Sequence, residues 1–352
     1  MTGRERLIAA CRGEPVDATP AWFMRQAGGS LAGYAALRDR FSVIEIARTP
    51  ALCAEVSASA AEVLGTDGAI MFADIMLLAE AMGVRLELTA DGPVLERRIE
   101  TLADVEALRD VDPETDLGFV LEAVAMVRAR LGDRAAVIGL AGGPYTMAAY
   151  LLEGGPSRDR LRARSVMHGD PALWHALTTK LARSTGAYLA AQVSAGADVI
   201  QLFDSWAGDL PAASYARHVA PAAAEMLAAV AETGAPTIHF AARAGAILAP
   251  FAAVGGTVIG VDETQSLAAV RARLPGRALM GNLDPSRLLA GWDATVEGAR
   301  EVLDDAAGLH GHIFNLGHAV PRATPPERLR DLVSYVHEAS AARIAAATGA
   351  YA

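Results

Sequence analysis

The chain has 352 residues, of which 52% are hydrophobic and 20% charged, with a formal net charge of −10 and two cysteines. This composition excludes a disordered chain and is rich enough in apolar side chains for a sizeable core. The acidic balance speaks against binding to nucleic acid or an anionic membrane, so an anionic ligand has to be met by local positive groups. Cys11 and Cys53 are far apart with no C-x-x-C pattern, which points away from a disulfide framework or thiolate metal site and towards a reducing cytoplasm. The opening MTGRERLIAACRGEPVD carries charge where an export signal needs an apolar stretch, so none is expected.

In chain order, short β-rich apolar runs alternate with longer segments of helical period. Strands are expected at 20–26, 68–73, 135–140, 199–203, 237–241, 258–261, 278–282 and 312–316. Eight such units predict an α/β fold, a single (β/α)8 TIM-type barrel domain covering residues 1–352. Residues 84–88 and 93–98 alternate apolar and polar about Asp91-Gly92, predicting a hairpin inserted after the second strand. The uncharged run 135–152 is divided by Gly142-Gly143-Pro144, so it reads as strand, turn and helix and no membrane span is expected. Helical patterns at 157–167, 171–195 and 210–232 clothe the barrel, and Thr49-Pro50, Asp170-Pro171 and Thr324-Pro325 predict helix starts capped by a side-chain oxygen.

Working residues of such a barrel lie at the C-terminal ends of its strands. The first strand ends in Trp22-Phe23-Met24-Arg25-Gln26-Ala27-Gly28-Gly29, the second in Met71-Phe72-Ala73-Asp74, and the third leads through Gly142-Gly143-Pro144 to Tyr150. The fourth ends in Phe203-Asp204-Ser205-Trp206, the seventh in Gly281-Asn282-Leu283-Asp284, and the eighth in Leu316-Gly317-His318. Arg25, amid apolar neighbours, is expected to be at least half-buried and to need an anion, either a ligand carboxylate or an internal partner such as Asp74. Taken alone, Asp74 reads as a turn cap, Tyr150 as core with its hydroxyl at the rim, Ser205 as a helix cap, and His318 as a cap or a donor titrating near neutral pH. Asp204, Asp262 and Asp284 are expected to serve loop architecture, and His168, His175, His310 and His312 to be surface or packing residues.

Six ordered stretches, PAWFMRQAG, MFADIMLLAEAMG, LAGGPYTMAAYLLEGG, QLFDSWAG, GNLDP and FNLGHAVPRATP, spread from residue 20 to 325, resemble the uroporphyrinogen decarboxylase family. The resemblance implies a (β/α)8 barrel and a cofactor-free, metal-free enzyme that removes the carboxyl groups of the four acetate side chains of uroporphyrinogen III, giving coproporphyrinogen III. It also implies a cytoplasmic homodimer with a tetrapyrrole substrate. By the same resemblance Asp74, Arg25 and Tyr150 are catalytic, and Gln26, Ala27, Arg38, Phe72, Ser205 and His318 line the substrate. Asp74 is given the pyrrole N–H groups and Arg25 the reacting acetate, with Gln26 a second donor to that carboxylate. The chain departs from the family's RQAGR at Gly29, where an arginine is missing, and from H-F-G-x-G at His239-Phe240-Ala241-Ala242-Arg243. It departs again at 59–64, and at Asp262-Glu263-Thr264 in place of D-W-R. Arg243 is expected to restore the charge lost at Gly29. Two other readings stay open: a paralogue resembling corrinoid or thiol methyltransferases, whose zinc cysteines are missing at His239-x-Ala241, and a non-catalytic porphyrinogen- or haem-binding protein.

Overall fold

The computed structural model describes residues 1–27, 31–89, 92–309 and 311–349. Gly28, Gly29, Asp91 and His310, all named above, lie outside the described residues. The strands are β1 (Gly68–Ile70), β2 (Leu86–Thr89), β3 (Gly92–Leu95), β4 (Ala136–Gly142), β5 (Val199–Phe203), β6 (Thr237–Phe240), β7 (Val258–Gly260), β8 (Ala278–Met280) and β9 (His312–Ile313). β1 and β4 to β9 form one parallel sheet in sequence order, in register at Gly68↔Ala136, Ile138↔Val199 and Met280↔Ile313. Parallel neighbours need crossover connections, and helices such as Gly118–Leu131, Pro171–Ser194 and Trp292–Asp305 supply them. β2 and β3 pair antiparallel, Leu86 facing Leu95, as the hairpin expected after the second strand.

Side chains alternate across each strand. Ile138, Leu140, Val199, Ile238, Phe240, Val258, Met280 and Ile313 fill the barrel interior, while Val137, Ile200, Leu202, Ile259 and Leu279 pack in the layer against the outer helices. The first helix, Gly3–Cys11, adds Leu7, Ala10 and Cys11 to the interior cluster. At Gly68 the packing is too close for any side chain: a Cβ there would lie 2.7 Å from Ile138 and 3.0 Å from Leu7.

The first expected strand, 20–26, is shorter than predicted. Ala21 makes only an isolated parallel bridge to Phe314, with Phe314 N–H donating to Pro20 at 2.8 Å and Trp22 N–H to Phe314 at 3.3 Å. On its other side, Asp67 N–H donates to the Ala21 carbonyl at 2.9 Å. Residues 20–22 therefore bond both edges of the seven-stranded sheet and act as the eighth stave of a (β/α)8 barrel, leaving no open edge. Beyond them the Gln26 amide substitutes for the ladder. Its Oε1 accepts Phe23 N–H at 3.1 Å and its Nε2 donates to the Gly68 carbonyl at 2.9 Å. Two of the three expected proline caps are also corrected. Asp170 accepts Leu173 N–H at 3.1 Å, but Thr49 makes no side-chain cap, and the buried Thr324 hydroxyl finds no partner among the described residues.

The seam is pinned from behind by Asp67, which is 2% exposed. It accepts Ala21 N–H at 2.7 Å, the Arg6 guanidinium at 2.6 Å and the His337 imidazole at 2.7 Å, joining the eighth stave to the first and last helices. Removing one member of a buried charge network strands the others. Asp67→Ala is expected to lower the unfolding free energy by roughly 3–5 kcal/mol, measured by urea denaturation, whereas a loss under about 1 kcal/mol would mean that the seam is held elsewhere.

Candidate active site

The predicted residues lie beyond the C-terminal ends of six staves, residues 20–22, β1, β4, β5, β6 and β9. After residues 20–22 the chain turns at 24–27, and Arg25 sits at the tip with φ 60 and its side chain exposed. The expectation that Arg25 is at least half-buried is thus corrected. Its apolar neighbours point into the protein while the left-handed backbone carries the guanidinium outward. Arg25 makes no ion pair among the described residues, so it is not spent on an internal bridge to Asp74. Its charge nevertheless reaches Asp74, Tyr150 and His318, shifting the protonation of each.

Asp74 follows β1 and is half-buried. Burial pushes its carboxyl above the usual range, opposed by the Met76 N–H that it accepts at 2.8 Å and by the Arg25 charge. The turn-capping use expected of a lone aspartate is therefore present, but on one oxygen only. Phe72, two residues earlier, is braced by Ser57 Oγ on its N–H at 2.8 Å and the Cys53 thiol on its carbonyl at 3.2 Å. Its ring lies 5.4 Å from that of Tyr34, whose hydroxyl Arg38 adjoins. Arg38 itself is exposed and donates to the Phe41 carbonyl.

Tyr150 is on the helix Pro144–Glu153, which follows β4. Asp204, fully buried after β5, fixes the start of that helix: its Oδ1 accepts Thr146 N–H at 2.8 Å. Thr146 Oγ1 returns a bond by accepting Trp206 N–H at 3.2 Å. Gly143 is required there, because a Cβ would come within 2.4 Å of Asp204. The hairpin inserted after the second stave braces the far end of the same helix, with Leu95 N–H on the Gly154 carbonyl at 2.9 Å. Tyr150 then stacks on Trp206 with ring centroids 4.4 Å apart. Burial and the Asp74 charge raise the Tyr150 phenol, while Arg25 and Arg160 lower it.

His318 lies at the rim with its ring 6.3 Å from Phe240. Partial burial and the Arg25 charge lower its basicity, opposed by the Glu263 and Asp262 carboxylates. Ser205 is half-buried beside Asp204, its carbonyl accepting Ala242 N–H at 3.2 Å. The role expected of Gln26 is corrected. Gln26 is 1% exposed with its amide committed to Phe23 and Gly68, so it is not a second donor to a ligand carboxylate, and Ala27 is 5% exposed.

Arg243, expected to restore a lost positive charge, is in a left-handed conformation at φ 56 and donates to Asp209 at 2.8 Å. Asp209 also takes Arg160, a residue the sequence reading missed because RDRLRAR offers four arginines with nothing to separate them. The three non-glycine residues at positive φ among the described residues are all arginines of these loops, Arg25, Arg160 and Arg243, and such strain concentrates at functional sites. Among the described residues no three His, Cys, Asp or Glu side chains converge as a metal ion would need. Two surface cavities, of about 300 and 460 Å³, lie in the helical jacket beside Arg109 and Lys180 and contain none of these residues.

The sequence profile of the uroporphyrinogen decarboxylase (URO-D) family matches residues 2–339. Among curated relatives, a uroporphyrinogen decarboxylase of Streptomyces griseus is 47% identical over 336 residues, covering 95% of this chain and 92% of its own. Another, from Carboxydothermus hydrogenoformans, is 41% identical, covering 96% and 97%. In structure the chain resembles a methyltransferase from Methanosarcina mazei with a TM-score of 0.79 at 22% identity, covering 96% of this chain and 99% of that one, a likeness of fold alone.

Burial pushes the Asp204 carboxyl up to about 6, and its Oδ2 has no hydrogen-bond partner among the described residues. Because folding raises this pKa, the group favours the native state in acid, and that contribution is lost as pH rises from about 4 through about 6. Between pH 4 and pH 8, Asp204→Asn is expected to gain on the wild type by on the order of 2–3 kcal/mol in urea unfolding. A stability difference that does not change with pH would show that Asp204 is not raised.

Proposed function

The chain belongs to the uroporphyrinogen decarboxylase family, and on that premise we propose that the mouth ringed by Arg25, Asp74, Tyr150 and His318 is where the substrate's acetate carboxyl groups are lost. The enzyme is a carboxy-lyase of porphyrin biosynthesis that converts uroporphyrinogen to coproporphyrinogen. The family match over residues 2–339, with Arg25, Asp74, Tyr150 and His318 all beyond the C-terminal ends of the staves of one barrel, is the observation that carries the assignment.

Loss of CO2 from a pyrrole acetate leaves an electron pair on the methylene carbon. If the adjacent ring carbon is protonated first, the breaking C–C bond feeds its electrons into a cationic pyrrole, and a second proton on the methylene then completes the methyl group as the ring proton leaves. Each acetate thus consumes one proton and releases one CO2. The difficult species is the pyrrole cation, and a fixed anion beside it lowers the barrier. Asp74 fills that role: its second oxygen is open to pyrrole N–H groups, while the Met76 N–H and Arg25 oppose the burial that would protonate it.

Arg25 is the natural partner of the reacting carboxylate, since an exposed guanidinium with no ion pair among the described residues can form a charge-assisted pair without breaking one. A guanidinium stays protonated in proteins, so its role is orientation and not proton donation. Tyr150 offers a phenol O–H, and Ser205 and His318 offer hydrogen-bonding groups for the outer carboxylates. Phe72 with Tyr34 forms an apolar flank, and Arg38 and Arg243 supply positive charge at the rim. The cytoplasmic homodimer remains part of this proposal. No described helix is long and apolar enough to cross a membrane.

Anaerobic incubation with uroporphyrinogen III, followed by separation of the oxidised products, tests the assignment. The wild type is expected to give a ladder of seven-, six-, five- and four-carboxyl porphyrins, and Arg25→Ala to slow every rung by about 100-fold or more with an unchanged circular dichroism spectrum. A wild-type rate from Arg25→Ala would remove Arg25 from the site, and binding without any ladder would select the non-catalytic reading.

A further inference from the structure

We propose that Arg160 is a positioning residue for Tyr150, holding the indole of Trp206 against the phenol from a clasp that joins three loops of the barrel mouth. The inference rests on the assignment of Tyr150 to the site made above.

Arg160 is unusual in three independent ways. Its backbone is left-handed at φ 49, a conformation that L-residues avoid unless their surroundings impose it. Its side chain is only 10% exposed, although an isolated cation resists burial. It also lies outside every motif quoted above, five residues past the stretch 140–155.

Each oddity has a visible cause. Ser157 fixes the backbone, its Oγ accepting Arg160 N–H at 3.0 Å while its carbonyl accepts the guanidinium at 3.0 Å. The guanidinium pairs with one oxygen of Asp209, in the loop after β5, and the other oxygen accepts Arg243, in the loop after β6. Its carbon lies 4.8 Å from the centroid of the Trp206 ring, within cation–π range. Trp206 in turn packs against Tyr150 at 4.4 Å. A chain of contacts therefore runs from the clasp to the phenol: Arg160, Trp206, Tyr150.

This arrangement argues against Arg160 as a direct substrate contact. Its two terminal nitrogens are engaged by Ser157 and Asp209, its Nε is buried with no partner among the described residues, one face is covered by Trp206, and the residue is 8% exposed. Arg243, 67% exposed at its side chain, is the open member of the clasp. Arg160 therefore acts through Tyr150, restricting the ring by holding Trp206 against it, and its positive charge opposes the burial that raises the phenol's pKa. The arginine geometry matters: a lysine offers a cation but not a fork able to hold Ser157 and Asp209 together.

Steady-state kinetics on uroporphyrinogen III, measured anaerobically for Arg160→Met, Tyr150→Phe and the double variant, test the proposal. Arg160→Met is expected to lower kcat by about 10- to 100-fold with KM changed less than about threefold, and to add nothing to the loss in Tyr150→Phe. If the methionine variant does not fold, Arg160→Lys takes its place, with a smaller kcat loss and the same non-additivity. A raised KM at unchanged kcat, losses that multiply with Tyr150→Phe, or wild-type kcat in Arg160→Lys would overturn the proposal and leave Tyr150 in the site. Wild-type turnover by Tyr150→Phe would instead remove Tyr150 itself.

Discussion

Residues 20–22 close the barrel by bonding Phe314 on one side and Asp67 on the other, and the way the chain leaves this short stave sets up the catalytic mouth. A further ladder step would require backbone pairing from Phe23 onward, but the Gln26 amide takes both the Phe23 N–H and the Gly68 carbonyl. The strand stops, the chain turns at 24–27, and Arg25 is placed left-handed at the tip. Its guanidinium is thus exposed beyond the stave, with no ion pair among the described residues. Gln26 and Asp67 never meet the mouth, yet both act on it by fixing where the first loop starts.

Charge at the mouth is sorted by the same economy of partners. An enzyme of net charge −10 takes a substrate that is itself a polyanion, so stray carboxylates at the strand ends would repel it. Three of the four strand-end aspartates are consumed by structure. Asp204 holds the helix of Tyr150, Asp262 accepts the Thr264 hydroxyl at 2.6 Å and the Arg243 N–H, and Asp284 accepts Ser286 N–H at 2.8 Å. Asp74 spends one oxygen on the Met76 N–H, and the proposal gives the other to the pyrrole N–H groups. The arginines of the rim provide the opposing charge, and Asp209 neutralises only one of the two that it binds.

The strand order was readable because each stave is a short apolar run bounded by turn residues, and the inward and outward layers follow from alternation along it. The first stave was over-extended because Trp22, Phe23 and Met24 are apolar enough to continue a strand, while its terminator is a side-chain amide that no pattern of hydrophobicity reveals. Arg25 was placed too deep for a related reason: burial of its neighbours says nothing about a residue whose φ is reversed. Asp74, Tyr150 and His318 were legible through the family's motifs, not through spacing. Arg160 was invisible, being one of four near-identical arginines, selected only by a fold that brings Asp209 and Trp206 to it from about fifty residues downstream.

The most direct test of the electrostatic role at the centre of this account is single-turnover decarboxylation by Asp74→Asn at saturating uroporphyrinogen III, with substrate affinity measured separately. Amide for carboxylate keeps the shape and the acceptor for Met76 but removes the anion beside the pyrrole cation. The account predicts a chemical step slowed by about 100-fold or more with affinity changed less than about tenfold. A chemical step within about threefold of the wild type would contradict it.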